Sequence, residues 1–170
     1  LTFSSFTTEG QYFYHKEDVD RAAIHITYFI PGRHEMSLQD RSALSVASYI
    51  LGGSFYSLLM RRLRLELGLI YGGGADFSLS FENGEFVVHC STSLEKAQEA
   101  YKEMTLVLGK FLAKGVSAVD FERAKKYQTF RTLMMFDSPQ RITNFLAHDL
   151  FWYKRIETIE ETVAAIESLE

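Results

Sequence analysis

GGSFYSLLMRRLRLELGLIYGGG, residues 52–74, reads as a glycine hinge, a short basic amphipathic helix, a glycine stop at Gly68, and a strand opening with Leu69, Ile70 and Tyr71. Phe55, Leu59, Leu63 and Leu67 recur at helical spacing, so residues 54–67 are expected as a helix with one apolar face and with Arg61, Arg62 and Arg64 off it. Past Gly68 the pattern changes to alternation. Asn83-Gly84 is the strongest two-residue hairpin signal in the chain. A turn there sets Glu82 opposite Glu85, Phe81 opposite Phe86, Leu79 opposite Val88, Phe77 opposite Cys90 and Ala75 opposite Thr92, which makes one face apolar throughout. Ser80 with Val87, Ser78 with His89 and Asp76 with Ser91 form a mixed second face.

Upstream, Tyr12, Phe13 and Tyr14 mark a short strand at residues 11–15, and the charged residues 16–21 a turn. Residues 22–30 alternate, with Ile24, Ile26, Tyr28 and Ile30 on one face and Ala23, His25, Thr27 and Phe29 on the other, a strand with two partly buried faces ended by Pro31-Gly32. Ser37 with Asp40 is a helix N-cap signature. It opens a helix over residues 38–51 that Gly52 and Gly53 stop. Downstream, Thr92 with Glu95 reads as a capping box for a long helix running to Gly115, striped by Leu94, Ala97, Tyr101, Met104, Leu108 and Phe111. A third helix follows over residues 117–136, Ser138-Pro139 restarts the chain as helix, and residues 156–169 are amphipathic and acidic. No internal repeat, low-complexity segment or linker interrupts this order. Hairpin-joined strands with helices gathered together predict an α+β fold, a mostly antiparallel sheet with helices packed on one side, in a single domain over residues 1–170.

The chain has 170 residues, enough to bury roughly two thirds of its unfolded surface without staples. A net charge of −4 gives no electrostatic reason to expect nucleic acid. The single cysteine, Cys90, rules out an internal disulfide and fits a reducing compartment such as the cytoplasm, while a bacterial periplasm is also compatible with it. No apolar run approaches the ~20 residues of a membrane span. The chain opens on Leu1 rather than methionine, as expected of a domain cut from a longer protein.

Known catalytic motifs are absent: there is no HxxEH or HExxH, no CxxC, no GxSxG, no P-loop and no GxGxxG. His15, His25, His34, His89 and His148 stand far apart, none with a second ligand at metal spacing, so no metal or other cofactor is expected on this chain alone.

Leu51, Gly52 and Gly53 before a helix, then Leu63 and Arg64, Gly68 and Leu69, and Tyr71 follow an ordered pattern. With the Pro31-Gly32 strand end and the long helices after Thr92, it resembles the C-terminal-type, non-zinc domain of the insulinase or pitrilysin-like zinc peptidases, which include the mitochondrial processing peptidases. That resemblance covers most of residues 20–165. It implies a processing-peptidase-like fold in one half of a two-domain, clam-shaped peptidase. The other half, in the same chain or a partner subunit, would carry HxxEH, bind zinc and activate water. The chain in hand would close the chamber and bind the peptide substrate, with Arg64 and Tyr71 reaching toward the substrate backbone and Gly52, Gly53, Gly72 and Gly73 as further candidate contacts.

The residues taken alone admit plainer roles. Arg64 in a last helical turn complements the helix dipole, Arg62 with Glu66 is an ordinary i,i+4 pair, Tyr71 is strand packing, and Gly52-Gly53 is a helix stop. His89 and Cys90 read as structural residues. The resemblance favours the substrate-binding half of a zinc endopeptidase, predicted inactive by itself; the other reading is a noncatalytic peptide-binding or assembly module of the same fold.

Overall fold

The structure, a computed structural model, describes residues 18–170. The expected strand at residues 11–15 lies outside them. Three antiparallel strands, β1 (Arg21–Pro31), β2 (Ile70–Leu79) and β3 (Asn83–Ser93), form a sheet in the order β1-β3-β2. β1 and β3 run in unbroken register from Arg21 opposite Ser93 to Pro31 opposite Asn83. Ile24, Ile26 and Ile30 of β1, Phe86, Val88 and Cys90 of β3, and Ile70 and Ala75 of β2 turn toward the helices and into the core. The opposite face is open: Ala23, His25, Thr27 and Phe29 are all exposed, so β1 has one buried face rather than two.

Helix α1 (Leu38–Leu51) starts at the expected capping box, in which Ser37 Oγ accepts the Asp40 N–H at 3.1 Å. A seven-residue π-helix (Met60–Glu66) follows, then α2 (Ala97–Lys114), α3 (Ala118–Met134), α4 (Pro139–Tyr153) and α5 (Ile159–Glu167). Ser117, Ser138 and Thr158 cap α3, α4 and α5, each hydroxyl accepting a backbone N–H three residues on. The main core joins the sheet to Leu59, Met60 and Leu63 and to Ala100, Met104 and Leu108 of α2. A second cluster, Val46 and Ile50 of α1, Ala124 of α3 and Ile166 of α5, binds the outer helices together. All helices therefore lie on one side of an antiparallel sheet, as the strand and helix order predicts.

Four local expectations are corrected. The hairpin turns at Phe81-Glu82, where the Ser80 N–H reaches the Asn83 carbonyl at 2.8 Å, and not at Asn83-Gly84. Phe77 therefore faces Phe86, Ala75 faces Val88, Gly74 faces His89 and Gly73 faces Cys90. Gly84 is a strand residue wedged between neighbours: a Cβ there would lie 2.6 Å from Leu79 Cδ2 and 2.8 Å from Ile30 Cγ1. The turn itself is held by non-local contacts, with Arg33 and His34 donating their N–H groups to Ser80 and Phe81 and with Phe81 stacked on His34 and Trp152.

Second, Phe55 is not on the helix that follows Gly52-Gly53. Residues 53–57 form turns, the helix is entered at Leu58, and Phe55 is half exposed. Third, Thr92 does not cap a helix. Its buried hydroxyl donates to the Leu69 carbonyl within the sheet, and α2 begins only at Ala97 after a single 3₁₀ turn. Fourth, the buried stripe of α2 is centred on Ala100, Met104 and Leu108, leaving Leu94 and Tyr101 largely exposed.

Candidate functional site

The site is built on the short connection from the π-helix to β2. Leu63 is fully buried and Leu59 nearly so, which fixes one side of the π-helix in the core. At its end the Leu67 N–H bonds the Arg62 carbonyl five residues back at 3.2 Å, a wide turn, and the Gly68 N–H bonds the Arg64 carbonyl four residues back at 3.2 Å. Gly68, at φ +60°, then turns the chain back so that the Leu69 N–H reaches the Leu63 carbonyl at 2.7 Å. The carbonyls of the same two residues are also taken. Lys96 Nζ donates to Gly68 O at 2.9 Å and Thr92 Oγ1 to Leu69 O at 2.6 Å. Leu69 and Ile70 are buried. No backbone polar group of Gly68 or Leu69 is left free to move the connection.

Arg64 and Tyr71 project from the two ends of this pinned segment. Arg64 is exposed, with its guanidinium over the Phe55 ring at 5.5 Å. Tyr71 is the surplus residue of a β-bulge, since β2 slips register against β3 between Ile70 and Gly72. It is 53% exposed, and its ring lies under the Arg21 guanidinium at 5.2 Å. Among the described residues neither side chain makes a hydrogen bond or ion pair. Among the described residues no hydrogen bond or cation–π contact joins the two to each other; what relates them is the shared, fully bonded connection.

The candidate glycines divide. Gly52 ends α1 with its N–H on the Ser48 carbonyl at 2.9 Å and presses on β2, where a Cβ would fall 2.0 Å from the Ala75 nitrogen. A Cβ on Gly53 would meet Tyr49 Cα at 2.7 Å, and one on Gly73 the His89 carbonyl at 2.6 Å. These three have packing reasons to lack a side chain. Gly72 has none, as nothing lies within 4 Å of its Cβ position.

Sequence reasoning gave His89 the wrong neighbour. It stands opposite Gly74 and, across β3, opposite His25, with which it stacks at 5.9 Å; its Nε2 lies 3.2 Å from Asp76 Oδ2. These groups share the open sheet face. Among the described residues no three His, Cys, Asp or Glu side chains are arranged to hold a metal ion, so they do not form a zinc site. No helix of the described residues is long and apolar enough to cross a membrane.

The π-helix is tied from both flanks, which sequence spacing did not reveal. Arg61 Nη2 bonds Asp120 Oδ2 at 2.8 Å, and Arg62 bonds both Glu66, as expected, and Glu103 of α2, at 3.0 and 2.9 Å. Asp120 is buried, and also accepts from Arg123 at 2.6 Å and from Ser117 Oγ at 2.9 Å.

Residues 2–127 match the sequence model of a family described as the peptidase M16 inactive domain. Over 103 residues the chain is 29% identical to a protein of Rickettsia felis named an uncharacterized zinc protease; the match takes in 61% of this chain and 25% of that one. The fold superposes on a peptidase M16 inactive domain from Pseudomonas fluorescens with a TM-score of 0.80 at 22% identity, covering 89% of this chain and 36% of that chain. A protease from Helicobacter pylori gives a TM-score of 0.81 at 18% identity, covering 92% and 37%. The chain thus spans between a quarter and two fifths of the length of these proteins.

Proposed function

The chain belongs to the peptidase M16 inactive domain family, and from that premise we propose that it is the substrate-binding, chamber-closing half of a zinc-dependent endopeptidase. Alone it hydrolyses nothing. An HxxEH-bearing domain, in the same polypeptide or a partner subunit, holds the zinc, which supplies Lewis-acid activation of water and carbonyl. The contribution of this chain is to bind and orient the peptide.

The observation that carries the reading is the mounting of Arg64 and Tyr71. Two uncommon backbone irregularities, a π-helix and a β-bulge, bracket one connection whose backbone groups are all bonded, and both turn a polar side chain outward. Each makes one cation–π contact, Arg64 with Phe55 and Tyr71 with Arg21, and is otherwise turned to solvent. A guanidinium and a phenol mounted on one bonded connection are suited to hold a peptide carbonyl and to stabilise the negative charge that grows on it during attack.

The test is cleavage of a mixture of quenched fluorescent peptides by this domain alone and by the protein complemented with its HxxEH-bearing domain. Activity only in the complemented protein, lost to a chelator and restored by zinc, supports the reading. Peptide binding without cleavage in the complemented protein would overturn it in favour of a noncatalytic module.

A further inference from the structure

Arg61, Arg62 and Arg64 lie within four residues, yet they point to three different places. Arg61 reaches the buried Asp120 at the start of α3, Arg62 reaches Glu103 in α2, and Arg64 faces Phe55 and solvent. In an α-helix Arg61 and Arg64, three apart, would share a face. The wider π turn separates them, so Arg61 can pair with a buried carboxylate while Arg64 stays turned to solvent.

We propose that Arg61 and Arg62 are positioning residues, whose ion pairs to Asp120 and Glu103 clamp the π-helix between α3 and α2 and thereby set the direction in which Arg64 projects. This rests on the role proposed for Arg64. Arg61 and Arg62 are each more than a third exposed, so solvent screens their side of both pairs. Their geometry is the more telling feature. They reach from adjacent residues to two different helices, and both acidic partners are well covered, at 8% and 17% side-chain exposure, so the carboxylates are fixed anchor points. A π-helix is a rare winding, and these two tethers restrain it against relaxing to an α-helix, which would swing Arg64 toward the face that Arg61 occupies. The Lys96 and Thr92 bonds hold the connection beyond Arg64; the two arginines hold the helix before it.

The test compares kcat and KM of the complemented protein, on the peptide mixture, for Arg61→Met, Glu103→Gln, Arg64→Ala and each pairing with Arg64→Ala. Arg61→Met leaves Asp120 bonded to Arg123 and Ser117, and Glu103→Gln removes the charge of the second tether while keeping its shape, so neither depends on the other for a folded protein. Each single variant is expected to lower kcat by about tenfold, within what misplacing a positioned group costs, with a small change in Tm. Combined with Arg64→Ala, neither is expected to add a further loss. Arg155→Gln, which breaks an exposed ion pair to Glu161, serves as a control expected to keep kcat. If the losses multiply fully with that of Arg64→Ala, or if kcat is unchanged while Arg64→Ala impairs it, the positioning role is overturned and the proposed function stands. If Arg64→Ala itself leaves kcat and KM unchanged, the proposed function falls, and this inference with it.

Discussion

The Thr92 hydroxyl donates to the Leu69 carbonyl at 2.6 Å, in a site from which water is shut out. A residue whose spacing to Glu95 mimics a helix cap instead crosses from β3 to the connection that carries Arg64 and Tyr71. Replacing it by valine keeps the shape and removes the donor, leaving the Leu69 carbonyl buried and unpaired. Thr92→Val is expected to lower the unfolding free energy by about 1–3 kcal/mol, measured by urea denaturation. A variant as stable as the parent would mean that the carbonyl finds another partner.

Gly84 and Asn83 test the register of the hairpin. With the turn at Phe81-Glu82, Gly84 is pressed by Leu79, Ile30 and the Pro31 carbonyl, and Asn83 is an exposed strand residue. Gly84→Ala should destabilise by about 1–3 kcal/mol through overpacking, whereas Asn83→Ala should be close to neutral. Equal effects on the urea midpoint would point back to an Asn-Gly turn.

The Asp120 carboxyl is drawn in two directions. Burial raises its pKa, but hydrogen bonds from Arg61 and Ser117 and the charges of Arg61 and Arg123 outweigh that and hold it below the ordinary 3.8. A carboxylate depressed in the folded state contributes its full stabilisation above its unfolded value and loses it as pH falls toward the folded one. Stability should therefore fall as the solution is acidified below about pH 4, and Asp120→Asn should flatten part of that slope. Urea titrations between neutral and acid pH read the difference; parallel curves for the two proteins would refute it.

Cys90 is 3% exposed, and burial pushes its thiol up to about 11. It should resist iodoacetamide at pH 8 in the folded protein and react once unfolded in urea, since the thiolate is the reactive form. Mass spectrometry of the alkylated protein measures this. Rapid native labelling would show the β3 core to be open.

Much of the fold was legible wherever the deciding bonds are local. Ser37, Ser117 and Ser138 set helix starts within one residue, because a cap is satisfied by its own neighbours. The hairpin faces came out right and the partners wrong, since moving the turn back two residues preserves the parity of every pair. Register was decided by Gly32, Arg33 and Trp152, which are distant in sequence and give no local signal. The π winding was illegible for the same reason: Arg61 reads only as a charge off the apolar face and Arg62 as the i,i+4 partner of Glu66, until Asp120 and Glu103 are seen beside them. Of the candidate site, the spacing of Arg64 and Tyr71 was readable, but the outward turn of Tyr71 depends on a bulge that glycines permit without announcing.

Steady-state kinetics of the complemented protein, with Arg64→Ala and Tyr71→Phe compared to the parent at a temperature where all are folded, measures directly what these two residues do to a bound peptide. Loss of one positioned donor to a developing oxyanion lowers kcat by about a hundredfold or more; a loss of that order in each variant, with Tm unchanged, is the predicted result. Parental kcat and KM in both variants would contradict the account.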